Sequence, residues 1–551
     1  MLVQHKWLVL GAACFGLFMA ILDSSIVNIA IPTIERSLGT SIETVTWVLN
    51  AYNLVFAVLL IPAGRMADRF GRKRLFLIGI IIFSLCSLGA GLSGQIEILI
   101  AWRSVQAVGA AIMVPVSLAI VTLAFPAHQR GLALGIWGAI SGVAGAVGPT
   151  LGGILTEYVG WEWIFFINVP VGLLAVLAGL AIIPESRDPE ARQRMDLPGT
   201  ALLSTSLFTL TLALIRGETV GWSSMFIIGL FAAWVVSGAL FVLVESIVSH
   251  PIVDLRMLRD RTFSAASVVI LLFGLGFFGA LFFVIQYLTI VQGYSTLKSA
   301  FAVTPFPLCI MLIGPLAGRL ADRFGPRVLV TAGVLLFGAA MYAASLLQGG
   351  EPYPQIAWRL VLGGIGAGLI FAPVTSAVMG SVAGGRLGVA AGVFNTARQV
   401  GFTLGLAILV AVFVAVLPSR IASAQGQAVA LVERSDLPAS VKQGITQGIV
   451  SVQAGQVKQA AQSGERPTFD LYDQVKQAAG AQIADPLRPT LDELSLELQA
   501  IFAGSTANAF DRSFLVGAIF VWVGVVPALL LGRGPRRGPR AGPGERREAM
   551  A

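Results

Sequence analysis

Apolar residues run along this chain in long blocks separated by short, mostly basic connections. Predominantly apolar stretches fall near 7–31, 46–64, 75–93, 98–124, 131–156, 163–184, 198–216, 223–246, 263–290, 299–318, 328–347, 356–380, 387–417 and 513–532. Crossing the hydrocarbon core of a bilayer takes about 20 such residues in a helix. The pattern therefore predicts an all-α membrane protein with fourteen transmembrane helices. The first stretch follows Lys6, lacks an A-x-A cleavage signal and contains Asp23, so it reads as a retained helix rather than a signal peptide. The exception to the pattern is 418–512, a hydrophilic, Gln-rich segment with helical periodicity, as in LDELSLELQAIF from Leu491 to Phe502.

Composition supports lipid as the main solvent. Of 551 residues, 56% are hydrophobic and 12% charged, whereas a soluble chain carries about 25% charged residues. A soluble multi-domain enzyme is excluded on that ground. The net charge of +8 points to a membrane surface rather than to nucleic acid, because the basic residues sort by connection. One set of connections carries Lys6; Arg65, Arg69, Arg72, Lys73 and Arg74; Arg130; Arg187, Arg192 and Arg194; Arg256, Arg259 and Arg261; Arg319, Arg323 and Arg327; Arg386; and the arginines of 533–551. The short connections on the other side carry Arg36, Arg216 and Lys298. The positive-inside rule then places both termini in the cytoplasm and the protein in the bacterial inner or cell membrane as a multi-pass chain. The tail 533–551 reads as a cytoplasmic topology anchor that touches anionic lipid. Cys14, Cys86 and Cys309 all lie in apolar runs and suggest no disulfides. His5, His128 and His250 are scattered and make no metal constellation, and no GxxxxGK[ST] phosphate loop is present. No enzymatic chemistry, metal or cofactor is expected.

A repeat organises the chain. GRMADRFGR at 64–72 recurs as GRLADRFGP at 318–326, and Arg103 near the start of the fourth helix is matched by Arg359 near the start of the twelfth. Two six-helix pseudo-repeats with two helices inserted between them satisfy this spacing. The boundaries are 1–197 for the first bundle, 198–262 for the inserted helices and their cytoplasmic linker, and 263–532 for the second bundle, which contains the extracytoplasmic loop 418–512. In each repeat, Gly64 and Gly71, or Gly318, permit a tight turn and close approach. Asp68 and Asp322 can sit at helix N-termini or pair with Arg69, Arg72 or Arg323, forming a conformational latch. The alternative is a plain topogenic loop. For 418–512 two readings stand: a solvated helical cap, or a lid or accessory-partner site at the outer mouth.

Asp23 lies well inside the first helix, where a carboxylate costs about 2.5–3.5 kcal/mol on insertion scales. Both Asp23 and Arg103 fall in the outer half of their helices, so they can pair. A carboxylate beside a cation can exchange that partner for a proton or a cationic ligand; the alternative is a static ion pair. In the fifth helix Gly138, Gly142, Gly145, Gly148 and Gly152 with Pro149 make a side-chain-poor face and a kink, suited to two half-bundles approaching and rocking. Arg398 falls near the midplane of the thirteenth helix, either facing the central cavity as a partner for an anion or for a conformational change, or bonding carbonyls structurally. Asn28, Gln106, Gln286 and Asn395 are candidates for the substrate pathway. Phenylalanines 273, 277, 278, 282 and 283 of the ninth helix either stack on substrate or face lipid.

LDSSIVNIAIP (22–32), the GRxADRFG segments, RSVQAVGAA (103–111), GAISGVAGAVGPTLGG (138–153) and WEWIFFINVPVG (161–172) together resemble the fourteen-helix drug:proton antiporter branch of the major facilitator superfamily. The resemblance covers 7–417 and 513–532. It implies a proton-coupling role for Asp23 and Arg103 and an antiport role for the glycine-rich fifth helix. Ala107 departs from the family's usual glycine, and the absence of acids from helices 9, 10 and 13 argues against dicationic substrates. The implied function is export of small hydrophobic or amphipathic, often cationic, compounds in exchange for protons, as in multidrug efflux and antibiotic resistance. The alternatives are a dedicated exporter of one lipid, siderophore or antibiotic, or a nutrient symporter.

Overall fold

The computed structural model describes residues 5–187, 196–248, 251–382, 386–451, 471–479 and 481–532. The basic tail 533–551 and Arg192 and Arg194 of the linker lie outside them. Fourteen helices in the described residues are long and apolar enough to span a membrane, in line with the hydropathy pattern. They are α1 (Lys6–Leu38), α2 (Glu43–Phe70), α3 (Arg72–Gly91), α4 (Ile96–Ala124), α5 (Ala127–Tyr158), α6 (Trp163–Ile182) and α7 (Leu197–Gly217), followed by α8 (Met225–Ile247), α9 (Arg261–Val291), α10 (Lys298–Phe324), α11 (Pro326–Ala344), α12 (Tyr353–Gly380), α13 (Leu387–Arg434) and α14 (Ala484–Leu530).

Local chemistry sets the helix ends. Asp196, Ser224 and Asp260 accept the backbone N–H three residues on, at 2.8, 3.3 and 2.8 Å, and so cap α7, α8 and α9. The last glycine of each GRxADRFG segment ends its helix at positive φ, +113° at Gly71 and +85° at Gly325. A side chain is strained there, which is why glycine closes both motifs.

In lipid, helices associate through close packing rather than water exclusion, so small residues govern the contacts. The first half is built from α1–α6 and the second from α9–α14, and they meet along two seams. On one, α2 crosses α13; on the other, α10 crosses α5. The inserted pair α7–α8 packs on the outside of the first seam, where Leu203 and Leu207 meet Ile61 of α2, Val389 of α13 and Ile252 and Val253 of the linker. Glu245, at the end of α8, is buried and accepts the backbone N–H groups of Ile252 and Val253 at 3.2 and 3.3 Å. Residues 252–253 lie over the carboxylate, a placement hydropathy does not reveal.

The segment 418–512 is not a separate cap. α13 runs unbroken for 48 residues and α14 spans 47 with one break at Gly524, lengths of about 70 Å at 1.5 Å per residue against a hydrocarbon core of about 30 Å. Beyond the membrane they continue as an antiparallel pair. Ile421, Ala424, Ala428 and Val432 of α13, and Leu491, Leu494, Leu498 and Phe502 of α14, are buried in one apolar core. Shorter helices Ala439–Ser451 and Leu471–Ala479 pack against the pair.

Candidate functional site

Asp23 lies on α1 with no exposed surface, and neither has Arg103 on α4. The two are joined at 2.5 Å from Nη1 to Oδ2. The other carboxylate oxygen of Asp23 accepts from Gln106 Nε2 and from Asn168 Nδ2 of α6, both at 3.0 Å. Arg103 Nη1 also donates to Gln106 Oε1 at 2.8 Å, and the guanidinium lies 4.2 Å from the Tyr52 ring centroid on α2. Asn168 donates to Ser87 Oγ of α3, which donates to the Phe165 carbonyl. Five helices of the first half thus converge on one carboxylate. Arg103 Nη2 is buried with no hydrogen-bond partner in the structure. An ion pair with a donor left over is held by its surroundings rather than by complete pairing.

The two GRxADRFG segments lie together at one end of the molecule, here called the motif end, and each reaches across to the other half. Asp68, fully buried on α2, accepts the backbone N–H of Gly388 (3.0 Å) and Val389 (3.1 Å) at the start of α13. Arg72 adds two bonds to the same carboxylate, at 2.6 Å from Nη2 and 3.0 Å from Nε. Asp322 on α10 does the same at the start of α5, accepting from Gly131 N (2.8 Å) and Leu132 N (3.1 Å). Each carboxylate thus caps a helix of the opposite half, where exposed N–H groups and the helix dipole favour negative charge. The backbones touch at the same places. A Cβ on Gly64 would lie 2.2 Å from the Gly388 carbonyl oxygen, and one on Gly318 would lie 1.9 Å from that of Gly131. Gly71 turns over the carboxylate of Glu185, whose oxygens accept the N–H groups of Lys73 and Arg74 at 3.2 and 3.3 Å. Arg69 and Arg323 each lie over the ring of the next phenylalanine, at 5.1 and 5.5 Å, rather than on an aspartate.

The glycines of α5 divide by direction instead of forming one inter-half face. Gly142 approaches Ile310 of α10, while Gly148 and Gly152 admit Ser25 and Ile26 of α1, inside the same half. Gly138 has nothing within 4 Å, and Gly145 only Ile21 at 3.9 Å. Close approach to α10 falls to Gly135 and Gly131, about two and three turns before Gly142. At the end opposite the motifs, α1 and α5 separate around a cleft of about 700 Å³ lined by Pro32, Thr33, Arg36, Pro149, Gly153 and Glu157.

The remaining candidates scatter. Gln106 belongs to the Asp23 network. Asn28 is exposed and donates to the Ser24 carbonyl. Gln286 is the last α-helical residue before a π-helical turn, Tyr287–Val291. Asn395 and Arg398 are buried on α13, at 1% and 7% exposure. Arg359, the counterpart of Arg103 in the repeat, pairs at 3.0 Å with Glu351 of the preceding loop, so the second half has no equivalent of the Asp23 network there. The α9 phenylalanines divide as well: Phe273 and Phe283 are buried among other rings, while Phe278 is 39% exposed.

Sequence reasoning missed the receiving ends of both motifs and the amide that completes the Asp23 shell. Yet RGLALG (130–135) and RLGVAAG (386–392) share an arginine at a helix start followed by glycines four apart, and Asn168 is the lone polar residue in WIFFINVPVG.

Two pseudo-repeated helical bundles joined through a duplicated motif are the architecture of a membrane transporter, and comparison agrees. The Major Facilitator Superfamily profile matches residues 13–406, and the chain belongs to that family. It is 37% identical over 405 residues to the tetracenomycin C resistance and export protein of Streptomyces glaucescens, covering 74% of this chain and 75% of that one. Over 415 residues it is 36% identical to the multidrug resistance protein Stp of Mycobacterium tuberculosis strain CDC 1551 / Oshkosh, covering 75% and 76%. Among solved structures, the proton:xylose symporter XylE aligns over 73% of this chain and 88% of its own, with a TM-score of 0.54 at 13% identity, a likeness of fold.

Proposed function

We propose that this transporter is a proton-coupled antiporter that exports small hydrophobic or amphipathic compounds, with Asp23 as the proton carrier. The observation that carries the proposal is the Asp23 shell: one guanidinium and two amide donors from three positions, all buried, aimed at a single carboxylate. Protonating Asp23 removes the charge that holds Arg103 and weakens each charge-assisted bond. Because the donors sit on α4 and α6, that loss is transmitted directly to helix packing in the first half. The names of the relatives, as resistance and export proteins, support export as the direction.

In this reading the motif end faces the cytoplasm, both termini lie there, and the membrane is the bacterial cell membrane, as the distribution of arginine favours. The clasps at Asp68 and Asp322 then hold the cytoplasmic side shut while the cleft beside Arg36 and Glu157 opens outward. Substrate enters from the cytoplasm or inner leaflet once the clasps release. Export then returns the molecule to the clasped form. A dedicated antibiotic exporter is a second reading, favoured by relatives named for resistance to one compound each, such as puromycin and methylenomycin A. The projecting α13–α14 pair is a candidate docking place for an accessory partner outside the membrane.

The test is ethidium accumulation in bacteria lacking their own pumps, with and without a protonophore. Wild type is expected to lower dye content, and both the protonophore and Asp23→Asn are expected to abolish this at equal expression. Protonophore-sensitive efflux that survives Asp23→Asn would remove Asp23 from the coupling role.

A further inference from the structure

Among the described residues, Arg398 is a buried charged side chain of the second half for which the transport reading has given no use. Only 7% of it is exposed. Among the described residues it makes no hydrogen bond, ion pair or ring contact. Other buried charges nearby are answered: Asp23 by Arg103, Asp68 by Arg72 and two amides, Asp322 by the amides of Gly131 and Leu132. One turn before Arg398, Asn395 donates to the Ala391 carbonyl at 2.8 Å, but its own Oδ1 is buried without a partner. A charge at membrane depth with no counter-ion is costly, and such residues face the bundle interior when they serve transport.

Helical phase shows where Arg398 points. At roughly 100° per residue, Gly388 and Gly392 define the side of α13 that meets α2, and Gly401 and Gly405 the side that meets α9. Val389, Val393 and Val400 lie with the α7 leucines on the outer side. Arg398 lies at the edge of the α9-facing side, next to Gly405 and with its carbonyl against Gly274 of α9, and Asn395 and Phe402 fall on the arc between that side and the α2 side, opposite those valines. That arc faces the interface between the halves. Phe402 stacks there on Phe277 and Phe278 of α9, each at 5.6 Å between centroids, and Phe277 also meets Phe306 and Phe371. An unanswered guanidinium one turn from an aromatic cluster is a recognition pattern for a planar anion, through charge-assisted bonds at one end and ring stacking at the other.

We propose that Arg398 and Asn395 form an anion-recognition site between the two halves, selecting amphipathic aromatic compounds that bear an acidic group such as a carboxylate or ionised phenol. This rests on the export reading and narrows it, away from the cationic compounds that the resemblance favours. Net charge agrees: with Asp23 neutralised by Arg103, the central interior carries an unmatched positive charge, which repels cations and attracts anions.

The test uses the full chain in lipid nanodiscs and two aromatic probes of opposite charge, carboxyfluorescein and ethidium, read by fluorescence anisotropy, with efflux of both measured in cells. Wild type is expected to bind and export the anion. Arg398→Gln is expected to weaken anion affinity about tenfold or more with no matching loss for ethidium, and Arg398→Lys to retain part of the anion affinity. Asn395→Asp, which supplies a carboxylate one turn from Arg398, is expected to reproduce the loss without removing the arginine, so a folding defect in one variant does not decide the outcome. Equal anion affinity in wild type and Arg398→Gln, or equal losses for both probes, overturns the site. Wild type that handles ethidium and ignores the anion overturns this proposal alone. Wild type that handles neither probe sinks the export reading and this site with it.

Discussion

The two clasps at the motif end come from one duplicated sequence, yet they do not make the same contacts. Both use an aspartate four residues after a glycine, and both place its two oxygens on two successive backbone N–H groups at the start of a helix in the other half. Both bring two glycine backbones into contact. Asp68 is fully buried and has Arg72 across it at 2.6 Å. Asp322 is half-buried, and the position equivalent to Arg72 is Pro326, which starts α11 and offers no donor. Helix capping and glycine contact are therefore the shared design, and the ion pair is an addition to the first copy only. Closure of the two seams is alike in backbone geometry and differs in its ionic contacts.

That asymmetry can be broken in graded steps. Asp68→Asn should have the largest effect, because it leaves Arg72 buried without its carboxylate; losing one member of a buried pair costs about 3–5 kcal/mol. The thermal unfolding midpoint and spin-label distances between α2 and α13 at the motif end would report it, and no change in either would refute the ionic contribution. Gly64→Ala and Gly318→Ala come next. Both new methyls meet a backbone carbonyl at 2.2 and 1.9 Å, so each should destabilise its seam by about 1–3 kcal/mol. The two losses should be similar, since the glycine contact is what the copies share; a large difference would show that the seams are not equivalent in packing. Asp322→Asn removes charge from a helix N-terminus without stranding a cation, an effect of about 0.5–2 kcal/mol. It should be clearly smaller than that of Asp68→Asn in the same assays.

The smallest effect involves the linker. Asp254 pairs with Arg386 at the start of α13. Burial works against its ionised form, but the Arg256 N–H and the Arg386 guanidinium outweigh it and hold the carboxyl below its ordinary range. A carboxyl lowered in the folded state stabilises the fold above its unfolded pKa and loses that contribution as pH falls through the folded value. Asp254→Asn should therefore flatten the acid limb of a stability–pH curve by at most about 1 kcal/mol, since the pair is partly exposed. An unchanged acid limb would show that the bridge contributes nothing measurable.

Much of this was legible without coordinates, for reasons that differ by region. Spans follow from hydropathy because bilayer thickness imposes one length on every crossing helix. The meeting of Asp23 and Arg103 followed from depth, since both fell in the same half of the membrane and neither is tolerated there alone. The duplicated motif signalled a contact, but not its partner. Which amides Asp68 accepts depends on where α13 begins relative to α2, a separation of some three hundred residues that no local pattern encodes. The same holds for Glu245, whose burial depends on where residues 252–253 lie, and for the α5 glycines, whose direction depends on which neighbour lies where.

Sequence alone thus determined the number of spans, the duplication, and which polar residues must find partners in the membrane, because each follows from the cost of exposing a group to lipid. Tertiary structure alone decided who those partners are. It placed Asn168 on Asp23 and the N-termini of α13 and α5 on the two motif aspartates, and it left Arg398 without a counter-ion among the described residues. It also carried α13 and α14 past the bilayer as one continuous pair rather than ending them at its surface. The physical reason is the same throughout: lipid dictates what each segment must satisfy, while only the packing of distant helices determines which groups come within hydrogen-bonding reach.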